Sequence, residues 1–138
     1  MYKRQVGINL LQKIVLPTLP TLYGAMLAGV GYVLMGAGIP LEIPAALAAL
    51  SGHQPTSLSV PVAGEAAGND TMDERIGFDP AEVGTTLLAI PLAVPYFFPI
   101  ISSVSLAQIL LKRASGPVDG FVVEAPACLL YTSPSPRD

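Results

Sequence analysis

The stretch IVLPTLPTLYGAMLAGVGYVLMGAGI, residues 14–39, decides which fold the sequence predicts. It contains no charged side chain, and it is longer than the ~20 apolar residues that cross a bilayer core about 30 Å thick. The apolar region of a secretory signal is shorter, about 7–15 residues. We therefore predict a first membrane-spanning helix over 14–39.

A second apolar block follows at 80–113 and begins with a helix signal. Asp79 suits the N-cap, Pro80 the first helical position, and Glu82 places a carboxylate in the first turn. The block ends on Lys112-Arg113, cations that favour a helix C-terminus. At 1.5 Å per residue such a helix is about 51 Å long, so a span here must tilt or kink.

The segments outside these blocks are shorter or more polar. The sequence predicts a short amphipathic or interfacial helix at 41–50, an irregular acidic loop at 51–78 and a tail at 114–127. The predicted fold class is therefore an all-α membrane protein, a two-span transmembrane helical hairpin with an acidic loop, and a fragment of a larger protein.

The cations predict an orientation for this hairpin. Lys13 precedes the first block, and Lys112 and Arg113 follow the second. The positive-inside rule then places both ends in the cytoplasm and the acidic loop outside. The predicted location is a bacterial or archaeal cytoplasmic membrane.

Small residues recur along the first block. Gly24, Gly31 and Gly38 are seven residues apart, a step that returns to nearly the same helix face. Such residues let membrane helices approach closely. The predicted helix-packing set is Gly24, Ala25, Ala28, Gly29, Gly31 and Gly38. The alternative is that glycine is simply frequent in membrane helices.

Prolines recur every four residues in the second block, at Pro91, Pro95 and Pro99. Each removes a backbone N–H and disrupts a helical hydrogen bond, so we predict a helix kink. One interpretation is a broken helix that lines a cavity, as in transporters. The alternatives are a static kink buried in protein and a translation in the wrong reading frame.

Few residues suggest chemistry. Neither 14–39 nor the apolar run 83–111 contains a charged residue, which argues against a self-contained pump. His53 is the sole histidine and lies in a loop, and Asp70, Asp73 and Glu74 lack the spacing of a calcium loop. We predict no catalytic residue, no metal ligand and no cofactor, and nothing indicates an enzyme.

The composition limits the partners. Hydrophobic residues make up 51% and charged residues 12% of the chain, whereas about a quarter of the residues in a soluble domain are charged. The net charge of −3 argues against nucleic acid, whose phosphates need clustered Lys and Arg. The predicted partners are the lipid bilayer and other transmembrane helices of the same or another chain.

The two ends differ in character from the rest. MYKRQ (1–5) and CLLYTSPSPRD (128–138) resemble translated transposase and sequencing-library adapter. This resemblance implies that the native part is 6–127, from an environmental gene, and engineered ends are excluded from fold reasoning. The only cysteine, Cys128, then lies outside the native part, so that part contains no disulfide.

These observations leave three functional hypotheses. The first is a fragment of a polytopic membrane transporter or channel-like permease. The second is a small two-span structural or accessory membrane protein, holin-like or a complex subunit. The third is a spurious translation. A membrane-bound enzyme would need its chemistry in sequence that this chain does not contain.

Overall fold

The computed structural model describes residues 6–60, 74–84 and 90–125. Within these ranges the chain is an α/β fold with three α-helices and six β-strands in two sheets. None of the described helices is both long enough and apolar enough to cross a bilayer. The prediction of an all-α two-span hairpin is therefore wrong, and the predicted membrane location, orientation and transport function are wrong with it.

Strands and helices alternate along most of the chain, as in α/β folds. The strands are β1 (Gly7–Leu11), β2 (Tyr32–Gly36), β3 (Thr56–Ser59), β4 (Arg75–Phe78), β5 (Tyr96–Ile101) and β6 (Val122–Val123). The helices are α1 (Thr18–Leu27), α2 (Ile43–Ser51) and α3 (Val104–Arg113), with a 3-10 turn at Pro80–Val83.

The first apolar block is a helix followed by a strand. α1 ends at Leu27, Gly29 adopts φ +76°, and β2 then begins at Tyr32. Glycine takes such a positive φ without steric cost, so the chain turns there instead of continuing the helix. β2 is apolar throughout: Val33 and Met35 are buried in the core, and Tyr32 and Leu34 are half-buried on the opposite face. Because α1 and β2 are both apolar, their combined hydropathy predicted a single membrane span.

The second apolar block is also divided. In chain order it contains the 3-10 turn, an extended segment, the strand β5 and the helix α3. Residues 85–89 of this block lie outside the described part of the chain. The longest helix in the described part of the block, α3, has 10 residues, half of the ~20 that a span needs.

β1, β2, β5 and β6 form one parallel sheet in that order. Ile8 pairs with Val33, Val33 with Phe97, and Ile100 with Val122. In chain order, each new strand of this sheet lies next to the preceding one and always toward the same edge. Right-handed crossovers in such an order place the connecting helices on a single face of the sheet.

The core lies between this sheet and its helices. Val33, Met35 and Phe97 point from the sheet into a cluster with buried side chains of α1 and α2, and each is at most 1% exposed. Ser115, just after α3, donates its hydroxyl to the Leu41 carbonyl and accepts from the Ala45 N–H. These contacts place the end of α3 beside the start of α2, on the same face of the sheet.

The stretch predicted as an irregular loop, 51–78, contains the strands β3 and β4. They pair antiparallel, with Leu58 opposite Ile76. Leu58 belongs to the main core, and Ile76 and Phe78 pack against it. Residues 61–73, which include Asp70 and Asp73, lie outside the described part of the chain.

Pro99 occupies the middle of β5 rather than a kinked helix. The Tyr96 N–H donates to the Gly31 carbonyl at 2.9 Å, so the peptide groups of Tyr96 and of every second residue after it point toward β2. The peptide groups of Phe97 and Pro99 point to the other side of β5, toward β6. On that side β6 pairs with β5 only from Ile100 onward. The missing N–H of Pro99 therefore removes no bond of the sheet, which is the position where a strand tolerates proline.

Candidate functional site

The strands of the parallel sheet all end at one edge. The described connections that follow them are 12–17 after β1, 37–42 after β2 and 102–103 after β5. The Gln12 N–H donates to the Gly36 carbonyl at 2.8 Å, which joins the first two strand ends directly. In open parallel sheets and in β/α barrels, ligands bind at this carboxyl edge.

The backbone after β2 is unusual at three consecutive residues. A Cβ on Gly36 would lie 3.1 Å from Ile100 Cδ1, and one on Gly38 would lie 2.6 Å from Gln12 Cγ. Between them, Ala37 adopts φ +56° and is exposed. A non-glycine residue in this left-handed region costs about 1–2 kcal/mol. Such strained positions cluster at functional sites.

The connection after β5 supplies hydrogen-bonding groups. Ser103 caps α3, and its Oγ accepts from the Leu106 N–H at 3.3 Å. Ser102, Ser103 and Ser105 are exposed, and the first turn of α3 contains no acidic residue. The first N–H groups of a helix lack intrahelical partners and attract hydrogen-bond acceptors.

The charged groups at this edge are sparse. Lys13 is exposed in the connection after β1. Glu124 follows β6, and its backbone N–H donates to the Ile101 carbonyl at 2.8 Å. Glu42 ends the connection after β2, but its carboxylate is paired with Arg75. The edge therefore offers an ammonium group, the Glu124 carboxylate, hydroxyls, an amide and backbone N–H groups, which suits binding by hydrogen bonds.

His53 lies beyond the end of α2, away from this edge. One ring nitrogen, Nε2, is 2.9 Å from the Ile90 carbonyl, and the other, Nδ1, is 2.9 Å from the Tyr23 hydroxyl. A carbonyl only accepts, so Nε2 carries the hydrogen and donates. In the neutral ring Nδ1 then accepts from Tyr23. Both ring nitrogens are thus used to hold α1, α2 and the segment before β5 together.

The main ionic cluster of the described chain joins α2 to β3 and β4. Glu42 accepts from the Ser59 N–H at 2.9 Å and from the Arg75 guanidinium at 3.0 Å. Partial burial acts to raise the pKa of Glu42, but the hydrogen bonds from Ser59 and Arg75, together with the charge of Arg75, outweigh it and lower that pKa. Arg75 also donates to Ser57 through Nε and Nη2. The acceptors and donors are used within the cluster, so its role is structural.

The predicted helix-packing residues do not share one helix. Gly24 and Ala25 lie in α1, and Ala28 is its C-cap. The other three lie outside the helix: Gly29 in the turn after α1, Gly31 before β2, and Gly38 after β2. The set is therefore spread over a helix and both ends of a strand.

The predicted kink and cap residues lie in the second block. Pro91 and Pro95 lie in the extended segment before β5, and Pro99 lies within β5. Asp79 Oδ1 accepts from the Ala81 N–H at 2.9 Å, but it caps a single 3-10 turn. Glu82 is exposed in that turn.

The sequence did not predict that Gln12, Ala37 and Ser103 lie together at the carboxyl edge of one parallel sheet. The usable signal was Gly-Ala-Gly directly after an apolar run, and Ser-Ser between an apolar run and a helix. Both sequences are typical of a strand end. Among the described residues, no group of three or more His, Cys, Asp or Glu side chains could hold a metal ion.

The adapter-like ends, 1–5 and 128–138, lie outside the described part of the chain. Comparison with models of protein families, with curated proteins and with solved structures finds no match to this chain. The candidate site therefore depends on the geometry alone.

Proposed function

We propose that the chain binds a small polar molecule at the carboxyl edge of its parallel sheet. The observation that carries this proposal is Ala37, a non-glycine residue held at φ +56° on the exposed turn after a central strand. His53 adopts a similar φ of +55° at a structural turn, so what singles out Ala37 is its exposed place at the carboxyl edge of a parallel sheet, where ligands bind.

The neighbouring residues indicate the chemistry of the ligand. Ser102, Ser103 and the first turn of α3 present hydroxyl and N–H donors, and Lys13 adds a positive charge. A ligand rich in hydrogen-bond acceptors fits these groups. Gly36 and Gly38 carry no side chain, which lets Ile100 and Gln12 pack directly against them and brings the three strand ends together.

The test is an amide chemical-shift titration of the full chain with acetate, inorganic phosphate and ribose 5-phosphate. We expect the largest shifts at 12–13, 36–39 and 102–105 with at least one of the three. Shifts centred on the connections at the opposite edge, or no saturable shift with any of them up to about 10 mM, would contradict the proposal.

A matched pair of variants sharpens the test. Ser102→Trp places a large side chain at the carboxyl edge, and Ala28→Trp places the same side chain at the opposite edge, where α1 leads into β2. Both positions are exposed, so both variants should keep the fold. We expect Ser102→Trp to weaken binding at least tenfold and Ala28→Trp to leave it unchanged.

A further inference from the structure

Within the described part of the chain, β1 is an edge strand, and some of its peptide groups have no strand partner there. It pairs with β2 on one side. The Val6 carbonyl accepts from the Gly31 N–H, and the Gln12 N–H donates to the Gly36 carbonyl. In a parallel pair, alternate residues face the partner strand, so Ile8 and Leu10 also face β2. The peptide groups of Gly7 and Asn9 consequently point away from the sheet.

A cleft opens beside this edge, between β1 and α1. Its volume is about 270 Å³, and its lining residues are Asn9, Leu10, Leu11, Ile14, Pro17, Thr18 and Thr21. None of these lining side chains is charged. Two of them are large aliphatic residues left exposed, Leu11 at 42% and Ile14 at 49%.

We propose that this edge of β1 binds an extended, uncharged segment of another polypeptide by strand addition. Gly7 and Asn9 present donors and acceptors two residues apart, about 6.6 Å along the strand. That spacing matches the peptide groups of an extended strand. The cleft beside them accepts an apolar side chain, so backbone bonds supply affinity and the cleft supplies selection.

Charge complementarity argues for the uncharged partner. A charged side chain would lose water on entering a cleft lined by aliphatic groups, one amide and two threonines, and none of these lining residues supplies a counter-ion. The Thr18 hydroxyl already donates to the Ile14 carbonyl at 2.7 Å. The cleft therefore selects aliphatic over ionic side chains.

The test measures amide hydrogen exchange of the full chain with a capped synthetic peptide of seven alternating threonines and valines. At a peptide concentration about ten times its Kd, we expect the Gly7 and Asn9 amides to exchange about tenfold more slowly. The Ile8 and Leu10 amides already face β2 and should change little. A peptide in which aspartate replaces valine should give no protection.

Two variants separate the cleft from the fold. Thr21→Trp, at an exposed position of α1, fills the cleft and should abolish the protection by the peptide. Ala48→Trp, at an exposed position of α2, lies away from the cleft and should retain it. The amide spectra of both variants report whether each remains folded.

Three results would overturn the proposal. The first is exchange at Gly7 and Asn9 that the peptide does not change up to about 1 mM. The second is equal protection by the aspartate peptide. The third is protection that rises with the concentration of the chain itself and not with the peptide, which would show self-pairing through β1.

Discussion

The two faces of the parallel sheet differ in how they are covered. On the helix-covered face, Val33, Met35 and Phe97 are at most 1% exposed. On the opposite face, Tyr96 is 47% exposed, and its ring stacks on Tyr32 with the centroids 5.6 Å apart. Parallel sheets are normally covered on both faces. Free energy of folding should therefore be concentrated on the helix-covered face.

The largest expected effect compares neighbouring residues of β5. Phe97→Ala empties a fully buried position of the core and should lower the free energy of unfolding by about 3–5 kcal/mol. Phe98→Ala removes a half-buried ring from the opposite face and should cost about 1–2 kcal/mol. Urea unfolding of both variants measures the difference. Equal losses would show that the two faces are equally covered in solution.

A smaller effect compares two tyrosine hydroxyls. Tyr23→Phe leaves His53 Nδ1 without its donor in the helix layer, which should cost about 1–2 kcal/mol. Tyr96→Phe removes a hydroxyl from an exposed side chain on the opposite face and should change stability by less than about 0.5 kcal/mol. Thermal unfolding at fixed pH compares the two. A larger loss of stability for Tyr96→Phe would show that the hydroxyl of Tyr96, and not that of Tyr23, stabilises the fold.

The smallest effect concerns the rim of the helix layer, where Glu42 contacts Ser59 and Arg75. Because folding lowers the pKa of Glu42, the stabilisation is complete above the unfolded-state pKa of about 4.3 and is lost as pH falls through the lower folded-state pKa. Glu42→Gln should therefore destabilise by less than about 1 kcal/mol at neutral pH, since the pair is partly exposed.

The pH dependence checks the sign of this effect. The difference between the native chain and Glu42→Gln should shrink as pH falls below about 4.3. Glu82→Gln, which removes an exposed carboxylate of the 3-10 turn, is the matched control for the loss of one negative charge. A difference that grows in acid would mean that the pKa of Glu42 is raised rather than lowered.

Sequence reasoning identified the buried segments but assigned them to the wrong environment. Residues 14–39 contain α1 and β2, whose buried side chains form much of the core. An apolar run gives the same hydropathy whether lipid or protein covers it. Tyr32 to Met35 alternates between the two faces of a sheet, and both faces are apolar, so no period-2 pattern was visible.

The candidate site was harder to predict because its members are distant in sequence. Gln12 and Gly38 meet only because β1 and β2 are paired in register. Gly24 of the predicted helix seam does lie in a helix, but Gly29 and Gly38 lie in the turn after α1 and after β2, with positive φ values. No local pattern distinguishes these roles, since glycine serves both.

The sequence by itself determined which segments are apolar, which are broken by Gly and Pro, and that few charges are available for chemistry. It predicted a long helix starting at Pro80, whereas the structure has only the 3-10 turn Pro80–Val83 there, capped by Asp79. Tertiary structure decided the rest. Strand pairing joined residues far apart, and the packing of α1 and α2 on β2 supplied the apolar environment that hydropathy had attributed to lipid, because burial depends on neighbours that a local pattern does not contain.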